Sequence, residues 1–154
     1  MNENENEKNI GVVHVGLTQG AKTTYFDLVF TTSRIVFAKT GGLHIAWFAI
    51  WFFFAGIGAV IYTLIAMSKR NGTQRQLSEK SAEDILKLSG ENYSAPYSEL
   101  MSIRIFDRRK LEIVTTGNRK VFVLFGSTTA NVSKAQVCEY AKIIKDAAPE
   151  KFVQ

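Results

Sequence analysis

Apolar and polar positions alternate with strand period through the first forty residues. Val13, Val15 and Leu17 are separated by His14 and Gly16 within residues 11–18, the two-residue period of a half-buried strand. Gln19, Gly20, Ala21 and Lys22 form a turn. Residues 23–30 are rich in β-branched and aromatic types, among them Thr23, Thr24, Tyr25, Phe26, Val29 and Phe30, which favour strands. Thr31, Thr32 and Ser33 make a second tight connection, and Arg34 to Lys39 is a third strand. Links this short imply antiparallel neighbours. Gly16 and Gly20 read as turn glycines, and Gly41 and Gly42 punctuate the chain after the third strand.

From Leu43 to Met67 the pattern changes to an uninterrupted apolar run of 25 residues, its most polar members His44 and Thr63. Roughly 20 apolar residues at ~1.5 Å each cross a bilayer core of ~30 Å, so the run is long enough for a membrane segment. Trp47, Trp51, Phe52, Phe53, Phe54 and Tyr62 are its candidate membrane residues. A single span would put residues 1–42 and 68–154 on opposite sides. A helical hairpin would return the chain to one side, with Gly56 and Gly58 at the bend or at a helix contact. The alternative to lipid is the central helix of a soluble oligomer.

Residues 71–90 read as a polar linker and a short helix. The helix begins at Ser81, three residues before Asp84, with Ile85, Leu86 and Leu88 as its apolar side and Gly90 as its stop. Strand pattern then returns. One strand carries Leu100, Met101, Ile103 and Ile105 and ends at Asp107, Arg108 and Arg109. Another runs from Lys110 to Thr115, and after a turn at Thr116, Gly117 and Asn118 a last one runs from Arg119 to Phe125. Ser133 and Gln136 have capping-box spacing for a closing helix. Val137, Tyr140, Ala141 and Ile144 share one buried face of that helix, and Pro149 ends it.

Composition alters the picture in three places. The 154 residues suit one domain. The chain holds 19 Lys and Arg against 14 Asp and Glu, and the whole excess lies after the apolar run, where the positive-inside rule would put it in the cytoplasm. The single cysteine, Cys138, excludes an internal disulfide and reads as a buried thiol on a helix face. His14 and His44 have no Cys or His partners at metal-ligand spacing, so neither a zinc site nor any other cofactor is expected. The acidic first residues, 1–9, read as a disordered tail.

Three meandering strands, an insertion, at least three more strands and a C-terminal amphipathic helix resemble the pleckstrin-homology-like superfold, in particular its prokaryotic GRAM-like group. Thr31, Arg34, Ile35, Val36 and Phe37 look like the Thr-x-x-Arg-Ile-Val-Phe element at the turn between the second and third strands of such domains. Pro96, Tyr97 and Ser98, running into Leu100, Ser102, Ile103 and Ile105, are similar to the Pro-Tyr-Ser step that leads into their next strand. The resemblance covers about 11–39 and 78–147. It implies a mainly β (α+β) fold: a bent antiparallel sheet or barrel capped by the C-terminal helix, here with a membrane-embedded helix or hairpin inserted. The expected division is residues 10–40 for the first half of the domain, 43–67 for the membrane segment and 91–149 for the second half. Some such domains bind phosphoinositide head groups and others bind proteins. The binders cluster basic residues around the first turn, where this chain offers Lys22, with Arg34 further on.

The expected function is therefore a membrane-anchored binding or adaptor module at the cytoplasmic membrane face, its ligand an anionic lipid or a protein. The alternatives are an oligomeric membrane assembly or structural subunit associating through residues 43–67, and a single-span protein with separate domains on each side. Lys22, Lys69, Arg70 and Arg75 are the candidate contacts to anionic lipid. Arg108, Arg109 and Lys110, and Arg119 with Lys120, read as basic turns. Nucleic acid is not an expected partner, because the aromatics sit in apolar strands and not among basic residues. No enzyme is expected: Glu99, Asp107 and Glu112 would pair only by an accident of folding, and no phosphate-cradling loop is present.

Overall fold

A computed structural model describes residues 7–44, 81–107, 109–126 and 132–153. Eight strands form one sheet: β1 (Asn9–Gln19), β2 (Lys22–Thr31), β3 (Arg34–His44), β4 (Tyr93–Pro96), β5 (Leu100–Phe106), β6 (Lys110–Thr115), β7 (Asn118–Leu124) and β8 (Phe152–Val153). Their order is β4-β3-β2-β1-β7-β6-β5-β8. All pairs are antiparallel except β5 with β8. Helix α1 (Ala82–Lys87) precedes β4, a single 3-10 turn (Tyr97–Glu99) precedes β5, and helix α2 (Lys134–Ala147) follows β7.

Alternation explains which side chains go inside. Val13 and Val15 of β1, Phe26, Leu28 and Phe30 of β2, and Ile35 and Phe37 of β3 face Ile103, Leu111, Ile113, Phe122 and Leu124 from the second half. The two halves join where Val15 and Gly16 pair with Leu124 and Val123. Tyr140, Ile144 and Ala148 close this core from the helical side. The α2 cap has both halves of the predicted capping box. Gln136 N donates to Ser133 Oγ at 3.2 Å, and Ser133 N donates to Gln136 Oε1 at 3.1 Å.

Strand β2 breaks the alternation, because Phe26 through Thr31 are all buried. The reason is α1, the short helix expected from the Ser81–Asp84 spacing, which Ser81 caps. Ala82 and Ile85 pack on Val29, Val36 and Ala38, forming a second apolar cluster on the outer face of β2 and β3. Asn92 pins the arrangement: its amide donates to Ile85 O at 2.7 Å, and its Oδ1 accepts from Lys39 N at 2.9 Å. Leu88, expected on the apolar side, is the C-cap and is 45% exposed, so the helix stops before Gly90.

Other expectations need correction. Gly41 and Gly42 do not end β3; they pair with Tyr25 and Thr24, and the strand continues through Leu43 and His44, opposite Thr23 and Lys22. Backbone pairing with β2 thus claims the first two residues of the apolar run. Among the described residues, no helix is long and apolar enough to cross a membrane. The expected fold class is corrected on this point: no membrane-embedded helix is seen among the described residues, which conflicts with the transmembrane description. What is seen is one eight-stranded sheet with two short helices. Trp47, Trp51, Phe52, Phe53, Phe54, Gly56, Gly58 and Tyr62, with Lys69, Arg70 and Arg75, lie outside the described residues. Gly16 is not a turn glycine: it is paired within β1, and a Cβ there would come within 2.5 Å of the Phe125 ring. Cys138, expected to be buried, is exposed on α2.

The Thr-x-x-Arg element is a structural staple. Arg34 grips Glu7 with two hydrogen bonds, Nε to Oε1 at 3.0 Å and Nη2 to Oε2 at 2.8 Å. Ser33 Oγ donates to Glu7 Oε1 at 2.7 Å, and Arg34 N donates to Thr31 Oγ1 at 3.1 Å. Tyr97 reaches across from the second half and donates to Thr31 O at 2.7 Å. Glu7, Lys8 and Asn9, placed in the expected tail, are therefore part of the fold. Partial burial opposes ionisation of Glu7, but the hydrogen bonds from Arg34, Thr31 and Ser33 outweigh it and bring its pKa from 4.5 to about 2.

Two outcomes are expected. Phe122→Ala removes a fully buried ring from between the two halves and should cost about 3–5 kcal/mol in urea unfolding. The Glu7 carboxylate is favoured in the folded state, so the stability it contributes is present above its unfolded value of 4.5 and is lost as the pH falls toward about 2. Wild type should exceed Glu7→Gln by about 1 kcal/mol at neutral pH, and the difference should vanish near pH 2. A gap that persists unchanged at the lowest pH would show that the carboxylate's charge is not what holds the turn.

Candidate ligand cleft between β4 and the β6–β7 turn

The sheet bends until its terminal strand β4 approaches β6 and β7 without joining their backbone ladder. Between them lies a cleft of about 170 Å³, lined by Phe37, Tyr93, Ser94, Ala95, Glu99, Ile113, Thr115, Asn118 and Lys120. Its walls follow from strand alternation. Phe37 and Ile113 are core-facing residues at the ends of their rows. Tyr93 opens β4 opposite Phe37 and stacks on it, with ring centroids 4.4 Å apart and planes 9° apart. The β6–β7 turn is tight because Gly117 takes φ +86°, a left-handed conformation open to glycine.

Lys120 is the chemically distinctive group. It alternates with Phe122 and Leu124 on the core-facing side of β7, where a cation is out of character. At the mouth of the core its stem lies along apolar surface while its head emerges. The ammonium donates to Tyr93 Oη at 2.8 Å and lies 4.6 Å from the centre of the Tyr93 ring. Among the described residues, no carboxylate comes within ion-pairing distance of it. Glu99 lines the same cleft, and Ser94, Thr115 and Asn118 add neutral donors and acceptors. The arrangement can hold a small anionic group against an aromatic wall.

Of the expected lipid contacts, the structure places only Lys22. It is exposed at the start of β2, beside the β1–β2 turn, and its charge reaches Glu91. Glu91 forms an ion pair with Lys39, whose hydrogen bond holds the carboxyl below its usual range. Arg34, the other basic residue near these turns, is spent on Glu7. The three carboxylates weighed as accidental pairs are not brought together. Glu99 lines the cleft, Asp107 lies 3.6 Å from Lys110, and Glu112 sits between Arg104 and Arg119. Lys110 and Arg119 fall at opposite ends of the β6–β7 ladder, so the two basic turns form no common patch. Sequence reading missed Tyr93 as a site residue and saw Lys120 only as half of a basic turn. The available signal was a lysine in phase with Phe122 and Leu124.

Among models of known families, curated proteins and solved structures, none matches this chain.

The geometry makes Tyr93 both a wall and an acceptor. Tyr93→Phe keeps the stack on Phe37 and should cost about 0.5–1.5 kcal/mol in urea unfolding through the lost hydrogen bond to Lys120. Tyr93→Ala also removes the ring and should cost about 3 kcal/mol. Equal stability of both variants and wild type would remove Tyr93 from this role.

Proposed function

We propose that the protein is a binding module of pleckstrin-homology-like build whose cleft between β4 and the β6–β7 turn receives a phosphate-bearing head group. The build is supported by the meander order β4-β3-β2-β1-β7-β6-β5 and by the packing of α2 into the common core. The reading as a binder rests on one observation: Lys120, facing a cleft with aromatic and hydroxyl walls, is paired among the described residues only to a neutral tyrosine. An anion entering there gains a cation that is already oriented, and no existing ion pair has to be broken. Lys22 adds a second positive charge at the neighbouring turn. Nothing in this role calls for turnover.

The test is titration with soluble inositol trisphosphate, followed by sedimentation with vesicles of phosphatidylcholine containing phosphatidylserine. Wild type should bind both saturably. Lys120→Ala should weaken each by about fivefold, the effect of ~1 kcal/mol per basic residue near an anionic surface, and Lys22→Ala should act mainly on vesicles. Binding that is absent in wild type, or indifferent to Lys120→Glu, would overturn the reading.

A further inference from the structure

The outer face of the second half is unlike any other surface among the described residues. Cross-strand register aligns Val153 of β8, Arg104 of β5, Glu112 of β6 and Val121 of β7 in one row. Phe106, Lys110 and Val123 form the next row, and Ser102, Val114 and Arg119 the row on the other side. Met101 bulges out of β5 and is 64% exposed, Val121 is 38% and Val153 48%. Of the large apolar side chains left exposed among the described residues, only Leu88 lies elsewhere. Concentration on one flat face distinguishes this set from the scattered apolar surface of ordinary domains.

The charges on the face are organised. Glu112 is buried at its centre and accepts Arg104 Nε on Oε2 at 2.6 Å and Arg119 Nε on Oε1. Each guanidinium therefore spends its Nε on Glu112 and still carries its Nη donors. Both side chains remain largely exposed, 47% for Arg104 and 63% for Arg119. Arg104 and Lys110 also lie over the Phe106 ring, at 5.4 and 5.6 Å. Two guanidiniums fixed by one shared carboxylate leave a net positive centre, framed by valine and methionine.

We propose that the outer face of β5, β6 and β7 docks an acidic segment of a partner protein, whose carboxylates engage the Nη groups of Arg104 and Arg119 while its apolar side chains cover Met101, Val121 and Val153. Two features select a protein over a membrane surface. Arg104 and Arg119 are each tethered through Nε to Glu112, and the exposed large apolar side chains of this face, among the described residues, are Met101, Val121 and Val153, with no aromatic among them to enter a bilayer. Fork-shaped donors with fixed spacing match carboxylates, which accept them in pairs. This surface is separate from the cleft, so the two readings stand or fall independently.

The experiment uses the full chain and three probes: a synthetic peptide alternating glutamate and valine, its lysine–valine counterpart, and phosphatidylserine-containing vesicles. Binding is followed by calorimetry and by amide shifts. The glutamate peptide should shift Arg104, Glu112, Arg119 and Val121 saturably, and should bind about tenfold or more tightly than the lysine peptide. Arg104→Gln with Arg119→Gln should abolish that preference. Because this pair leaves Glu112 without its cations, Met101→Ser with Val153→Ser provides a second variant that keeps the ion triplet; it should weaken the glutamate peptide while leaving phosphate binding at the cleft unchanged. Equal affinity for both peptides, shifts confined to Tyr93 and Lys120, or vesicles perturbing this face in preference to the peptide would each overturn the proposal.

Discussion

Strand β1 must serve two partners at once, and the rest of the fold follows from how it does so. It pairs with β2 along almost its whole length and with β7 only at Val15 and Gly16. That short contact is the hinge over which the sheet bends, bringing Phe26 within 6.4 Å of Phe122, ring centre to ring centre. Without the bend, each half would be a small sheet with one wet apolar face. The absence of a side chain at two β1 positions permits it: a Cβ on Gly16 would strike Phe125, and a Cβ on Gly11 would strike Ile143 of α2 at 2.7 Å. Ring and helix therefore approach the backbone of β1 closely, and the core closes on that side.

A second constraint is that carboxylates drawn into this fold require partners. Glu112 is held by Arg104 and Arg119, Glu7 by Arg34, and Asp27 by His14 at 2.6 Å. Removing the partner of a buried charge costs more than the pair contributes, because the remaining charge is left without either water or a counterion. These pairs therefore position elements as well as stabilise them. Glu7 ties the start of the chain to the β2–β3 turn, and Glu112 aligns three strands. Lys120 departs from this habit, since its partner among the described residues is a neutral phenol, and the anion site proposed at the cleft rests on that difference.

The two proposed surfaces lie on different parts of the sheet and use different physics. The cleft is concave and small, with one aromatic wall made by Tyr93 and Phe37, suited to one compact anionic group. The face over β5 to β7 is flat and extended, with paired donors at fixed spacing, suited to a chain of side chains. A module carrying both could join a head group to a protein, which is the logic of an adaptor, and neither surface requires another to move.

Much of the architecture was legible along the chain, because it depends on local rules. The alternation of Val13, Val15 and Leu17, the turn at Gly117 and the Ser133–Gln136 box each act over a few residues, and the structure places strand, turn and helix there. Thr31 and Arg34 were recognisable as a motif, but their task was not, since the carboxylate they hold belongs to Glu7 in a segment read as tail. Packing across the sheet was invisible for the same reason. Ile85 covers Val29 and Val36, Tyr93 stacks on Phe37, and Glu112 gathers arginines from two other strands only after the chain has bent. The apolar run suggested a helix from its first residue, Leu43, because hydropathy alone cannot register that β2 still offers partners there. Periodicity determines which face of a strand is apolar; which strands meet, and which lysine is left facing a cleft, is decided by the closure of the sheet over β1.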